Sequence, residues 1–208
     1  MDISRIEIKD MNFSYQDVKV YKKDLNLFFQ RGYIYLIKGK NGSGKSTLSG
    51  VLMRIWNDFK GTILLDDKSL REFSREAITE QIGVCFQKTP IFRDSIRNNI
   101  SLCENINVEK FIPLLSFDKD LKEMGRNLES ELIDTGSVSG GQAQKIGIIR
   151  TICRNRSVYI FDESTSNLDR NSKSEFYAII NDLKKKSIVI LFSHEIEAEK
   201  HADFIFQL

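Results

Sequence analysis

The sequence predicts an α/β fold: a mostly parallel sheet core covered by helices, with an antiparallel β segment at the N-terminus and a helical insert. Three observations carry that prediction. Short β-rich runs alternate with helical stretches of ten or more residues in both the first and last thirds of the chain. An apolar, β-rich run, Tyr33–Lys38, leads straight into a glycine-rich turn. From about Lys88 to Ser137 strand signal is nearly absent, and Ser95–Leu102, Val108–Leu115 and Leu121–Leu128 have helical spacing with polar separators.

Taken in order, Arg5–Lys9 and Leu25–Phe29 read as strands of a hairpin-like start, and Tyr33–Lys38 as a buried strand. A helix is expected from Lys45 to about Ile55, then a strand at Thr62–Leu65 with a turn at Asp66-Asp67-Lys68, where aspartate tolerates a left-handed backbone. Ile82–Phe86 is a further buried strand. After the insert the alternation resumes: helix Gln142–Cys153, strand Val158–Phe161, helix Asn171–Lys184, strand Ile188–Phe192, a short helix after His194, and strand Phe204–Phe206. Trp56 and the phenylalanines are expected in the core. The division is therefore a single domain over 1–208, with core segments 1–87 and 138–208 and a helical subdomain at 88–137.

Composition narrows the function. The 208 residues are 41% hydrophobic and 29% charged, a globular balance. The 31 basic and 29 acidic side chains leave a net +2, so no nucleic-acid partner is expected. No apolar run approaches the ~20 residues needed to cross a bilayer, and the N-terminus lacks the apolar stretch of a secretion signal. Cys85, Cys103 and Cys153 are odd in number and lack CxxC spacing, so neither a disulfide framework nor a zinc site is expected.

Gly39-Lys40-Asn41-Gly42-Ser43-Gly44-Lys45-Ser46 fits GxxxxGK[ST] completely. Glycines let successive backbone N–H groups converge on phosphate oxygens without Cβ clashes. The helix that begins there aims its positive dipole end at the same anion. Lys45 supplies a mobile charge for the β- and γ-phosphates, and the Ser46 hydroxyl can ligate Mg²⁺. The nucleotide-contacting set is thus Gly39, Asn41, Gly42, Ser43, Gly44, Lys45, Ser46 and the adjoining Thr47. A second signal is Ser157-Val158-Tyr159-Ile160-Phe161-Asp162-Glu163, an apolar strand ending in two acids. Beside a phosphate loop, Asp162 suits holding Mg²⁺ through water, and Glu163 suits deprotonating a water that attacks the γ-phosphate.

Between these motifs lies Val138-Ser139-Gly140-Gly141-Gln142. With the loop and the acid pair, it resembles the nucleotide-binding domain of ATP-binding cassette proteins, a P-loop NTPase fold, over essentially the whole chain. Phe13-Ser14-Tyr15 is similar to the aromatic loop, with Tyr15 stacking on adenine. Gln87 resembles the Q-loop glutamine that touches Mg²⁺ and the attacking water. Ser139, Gly140, Gly141 and Gln142 are similar to the LSGGQ signature, Ser166-Asn167-Leu168-Asp169 to the D-loop, and Ser193-His194 to the switch histidine on the γ-phosphate. Val138 replaces the signature leucine, and Lys145 stands where arginine is frequent. The resemblance implies ATP and Mg²⁺ as cofactors and Mg²⁺-dependent hydrolysis, with Glu163, His194 and Gln87 catalytic and Ser46, Gln87 and Asp162 around the metal. It also implies a head-to-tail dimer with a second nucleotide-binding domain, a homodimer or a related cassette, with ATP between the loop of one subunit and the signature of the other.

Gln87, Pro90 and Phe92 followed by Ser95-Ile96-Arg97-Asn98-Asn99-Ile100 are similar to the cassettes of exporters. In those, the helical subdomain receives the transmembrane domain, which places this chain at the cytoplasmic face of a membrane through that partner. The glutamate that exporters carry just before the signature has no secure place in Leu128–Ser137. Two other readings stand beside the transporter ATPase. A non-transport cassette ATPase is one: the short insert without sustained heptads counts against a DNA-repair role, while a cofactor-assembly role stays open. A small-molecule kinase has no use for the signature. The chain ends directly after strand Phe204–Phe206, so a minimal cassette is expected.

Overall fold

The computed structural model describes residues 2–40 and 42–208; Asn41, one of the expected nucleotide contacts, lies outside the described residues. The chain runs β1 (Arg5–Tyr15), β2 (Val18–Lys19), β3 (Leu25–Gln30), β4 (Ile34–Lys38), α1 (Lys45–Leu52), β5 (Phe59–Leu65), β6 (Lys68–Ser69), α2 (Arg75–Gln81) and β7 (Ile82–Cys85). It continues with β8 (Asp94–Ser95), α3 (Ile96–Ser101), α4 (Phe117–Glu123), β9 (Glu131–Leu132) and α5 (Gly140–Ile152). It closes with β10 (Val158–Asp162), α6 (Arg170–Leu183), β11 (Ile188–Phe192), α7 (Ile196–His201) and β12 (Phe204–Gln207). Two compact units result: Met1–Val84 with Arg156–Asp162 and Ile180–Leu208, and Cys85–Asn155 with Glu163–Ile179.

The first unit holds two sheets. The parallel one has the order β12-β4-β11-β10-β7. Its inner strands β4, β10 and β11 are buried nearly throughout, which is why they read as unbroken apolar runs rather than alternating ones. In the antiparallel sheet, β1 pairs with β2, β3 and β5. β1 is much longer than the five-residue strand expected. It continues to Tyr15 across an irregularity between Lys9 and Asn12, where Asp10 takes a left-handed φ of 48°. Gly61 lies against that bulge: a Cβ there would stand 2.4 Å from the Asp10 carbonyl oxygen, so only glycine fits. The expected turn at Asp66 and Asp67 is present, with φ of 46° and 72°. One hydrophobic cluster fills this unit, drawing Ile6 and Ile8 from β1, Leu48, Val51 and Leu52 from α1, and Ile160, Ile190 and Phe192 from the parallel sheet. The spacing of Leu48, Val51 and Leu52 puts all three on one helical face, each worth about 1.5–3 kcal/mol on burial.

Several elements differ from expectation. α1 ends at Leu52, because Arg54 turns left-handed at φ 55° and the Ile55 and Trp56 amides bond back to the Gly50 carbonyl. α2 has no counterpart in the sequence reading; Ser74 caps it by accepting from the Ala77 amide at 3.1 Å. Trp56 is not a core residue: it is 40% exposed, and Phe28, Phe86, Phe92 and Phe204 are exposed likewise. An apolar residue on the surface is ordinary, and residue type alone does not bury it.

The second unit is helical with one two-stranded ladder, β8 with β9, that the helical spacing concealed. In place of the helix expected over 108–115 there are two 3₁₀ turns, Val108–Lys110 and Leu114–Ser116. Pro113 has no amide to continue a helix, and Leu115 and Ser116 both take left-handed backbone. α3 begins where Ser95 caps it, accepting from the Asn98 amide at 3.1 Å. Asn99 is fully buried, and its side chain bonds to backbone groups of Phe92, Asp94 and Ser95, fixing the loop ahead of α3. Among the described residues, no helix is long and apolar enough to cross a membrane.

Candidate active site

Strand register brings the first half of the site together. Ile37 of β4 pairs with Phe192 of β11, and Phe192 pairs with Asp162 of β10. Three chain segments therefore leave the carboxyl edge of one parallel sheet at the same level: the phosphate loop after β4, Asp162 at the end of β10, and Ser193-His194 after β11. That edge is where open α/β sheets hold their ligands.

The loop itself is shaped by close approach. Gly42 and Gly44 take φ of 81° and 97°. A Cβ on Gly44 would stand 2.4 Å from the Tyr21 ring, and one on Gly39 would stand 2.2 Å from the Ser43 hydroxyl oxygen. Tyr21, which the sequence reading did not single out, donates its hydroxyl to the Gly44 carbonyl at 2.8 Å. Burial pushes the Tyr21 phenol well above its ordinary range, so the proton it donates stays in place. Lys45 is buried and donates from Nζ to the Gly39 carbonyl at 2.7 Å and the Lys40 carbonyl at 3.4 Å, spanning the loop. Gly44, the N-cap of α1, supplies no side-chain cap, so among the described residues the first-turn amides suit an anion. The buried Ser43 hydroxyl has no hydrogen-bond partner among the described residues, a further polar atom suited to a phosphate oxygen.

Ser46 donates its hydroxyl to Asp162 Oδ2 at 3.0 Å. A hydroxyl and a carboxylate side by side are hard oxygen donors that fit Mg²⁺, which keeps most of its shell for water and phosphate oxygens. Thr47 is buried, and its hydroxyl lies 3.4 Å from that of Tyr15, at the end of β1. Tyr15 is 46% exposed. His194 is exposed, in a turn tightened by the Glu195 amide donating to the Ser193 hydroxyl at 3.1 Å.

The remaining candidate residues belong to the second unit. Gln87 is exposed in the bend after β7, and Thr89, two residues on, is buried against Gly147 of α5. Glu163 follows Asp162 directly; it is buried, with a left-handed φ of 47° that is costly for a side-chain-bearing residue. Both the Ser166 amide and its hydroxyl donate to the Glu163 carbonyl, closing the turn. Ser139 caps α5 in a reciprocal box, accepting from the Gln142 amide at 3.2 Å while Gln142 Oε1 accepts from the Ser139 amide at 2.9 Å. The helix therefore starts at Gly140, two residues before the expected Gln142, and both signature glycines sit in its first turn. A Cβ on Gly141 would meet the Asn167 carbonyl oxygen at 2.9 Å, so glycine lets the D-loop backbone approach the signature. Lys145 in α5 is buried and donates to Asp120 at 2.7 Å, with Asp169 at 3.6 Å.

Residues 22–166 match the family described as ABC transporter. The chain belongs to the ABC transporter family. The match takes in the phosphate loop, the signature and both acids, so the domain is the ATP-binding cassette of this family. An ATP-dependent lipid A-core flippase of Pectobacterium atrosepticum is 30% identical over 96% of this chain. A protein of the same description from Francisella tularensis is 31% identical over 96% of it. The chain spans only 36% and 34% of those curated relatives, about a third of their length. Among solved structures, a bacterial Atm1-family ABC exporter with ATP bound superposes with a TM-score of 0.92 at 22% identity, over 99% of this chain and 37% of that one. That likeness establishes the ABC ATPase fold.

Proposed function

We propose that this cassette hydrolyses Mg²⁺·ATP to drive an exporter that moves a lipid-like cargo. The single observation that carries the ATPase reading is the Ser46–Asp162 hydrogen bond at the first turn of α1, a metal-suited oxygen pair beside a phosphate-binding loop. Ser46, Gln87 and Asp162 would hold Mg²⁺, which would supply neutralisation of phosphate charge. The chain's own residues do the rest. The loop amides and Lys45 hold the phosphates, Tyr15 stacks on the base, and Gln87 and Glu163 orient the attacking water. Glu163 accepts its proton, and His194 donates a hydrogen bond to the γ-phosphate. Ser139, Gly140, Gly141 and Gln142 present the start of α5 to a nucleotide held by a second cassette, so ATP joins two domains and hydrolysis releases them. The cassette works at the cytoplasmic face of a membrane, where residues 88–137 act as the helical subdomain that docks a transmembrane domain. The relatives described as lipid A-core flippases support a lipid-like cargo.

Glu163→Gln tests the reading. The variant should bind ATP, accumulate as an ATP-bound dimer on gel filtration and turn over at least about a hundred-fold more slowly. Turnover at the wild-type rate would remove Glu163 from the role of base.

A further inference from the structure

We propose that Trp56 is a positioning residue for the nucleotide base: it braces the ring of Tyr15 so that the stacking face is set before ATP arrives. The inference rests on the base-stacking role proposed above for Tyr15. Tyr15 is half exposed, yet three groups constrain it. Phe13, which is buried, meets it edge-on, with centroids 4.8 Å apart at 72°. Trp56 meets it edge-on at 5.8 Å and 86°. Its hydroxyl reaches Thr47 Oγ1 at 3.4 Å. Neither neighbouring ring lies flat on Tyr15, so parallel stacking is left to a ligand, and a planar heteroaromatic base is the class that uses it.

Trp56 has a built seat. Its amide and that of Ile55 bond to the Gly50 carbonyl, at 3.2 and 2.8 Å. A Cβ on Gly50 would stand 2.4 Å from indole Cδ1, so the glycine is what lets the indole lie on α1. α1 thus carries Lys45 for the phosphates, Ser46 for the pair with Asp162, Thr47 for the Tyr15 hydroxyl and Gly50 as the support of its brace. Base and phosphate contacts share one helix as their frame, and less side-chain freedom remains to be lost on binding.

Trp56 is the only tryptophan of the chain, so its emission reports on this contact directly. Binding of ATP and of inorganic tripolyphosphate, both with Mg²⁺, would be measured by calorimetry on the full chain. Trp56→Leu should weaken ATP about ten-fold, the scale of one base–aromatic contact, and leave tripolyphosphate unchanged. Trp56→Phe should recover most of the loss. In the wild type, ATP should change tryptophan emission and tripolyphosphate should not. Unchanged ATP affinity in Trp56→Leu, equal losses for both ligands, or emission indifferent to ATP would each overturn the proposal; the emission arm stands even if Trp56→Leu does not fold. Tyr15→Ala separates the two readings. If it keeps wild-type ATP affinity, base stacking itself is wrong; if it loses affinity while Trp56→Leu does not, only the brace is wrong.

Discussion

Gly44 shows how much is demanded of one residue in the phosphate loop. Its φ of 97° excludes a side chain on backbone grounds, and Tyr21 excludes one on contact grounds. Its carbonyl also receives the Tyr21 hydroxyl. Tyr21→Phe keeps the ring and removes that donor. It should lower thermal stability by about 1 kcal/mol and weaken ATP several-fold, read by calorimetry, because the loop loses a restraint on its shape. Lys45→Ala should abolish measurable nucleotide affinity, since loop amides alone then face the phosphate charge. Unaltered binding would remove Lys45 from the site. Of the residues at this scale, Gly39, Gly42, Lys45 and Ser46, and separately Asp162, could be named as candidates because each sits in a motif that is local in sequence. Tyr21 and Trp56 were not: each acts through a partner that only the folded chain brings near.

At the scale of elements, α5 organises the second unit. Arg150 donates to the Asn99 carbonyl at 2.6 Å and the Pro90 carbonyl at 2.9 Å, and lies over the Phe92 ring. Burial brings its guanidinium down to about 10, still charged at neutral pH. Lys145 ties the same helix to Asp120 of α4 while lying near Asp169. Lys145→Met should cost about 3 kcal/mol in denaturant unfolding, because it strands the largely buried Asp120 carboxylate. Asp169 caps α6, accepting from the Ser172 amide and hydroxyl. Those two bonds, with a smaller pull from Lys145, depress its carboxyl from 3.8 to about 2. A depressed acid stabilises the fold above its unfolded value and loses that effect as pH falls through the folded one. Asp169→Asn should therefore flatten the decline in melting temperature between pH 4 and pH 2, and a wild-type slope in the variant would contradict the assignment. The capping box of α5, Ser139-x-x-Gln142, is a local pattern, although the helix expected from sequence begins at Gln142; the two-residue strands β8 and β9 have no such pattern, because so short a ladder exists only through its partner.

At the scale of the molecule, the parallel sheet puts the phosphate loop, Asp162 and His194 at one edge, and the signature belongs to the other compact unit. The head-to-tail dimer proposed here makes each nucleotide depend on two chains. Ser139→Arg should leave ATP binding by the monomer intact and prevent dimer formation by the Glu163→Gln background on gel filtration. A double variant that still dimerises with ATP would rule out a signature-mediated interface.

The alternation of the longer strands and helices, the phosphate loop, the acid pair and the family follow from residues close together in sequence, because periodicity and loop chemistry are local properties. The bulge that demands Gly61 arises instead from contact between distant segments. So does the setting of Tyr15 between Phe13, Thr47 and Trp56. Such contacts are chosen by packing and hydrogen-bond closure, and only the folded chain contains the neighbours that choose them.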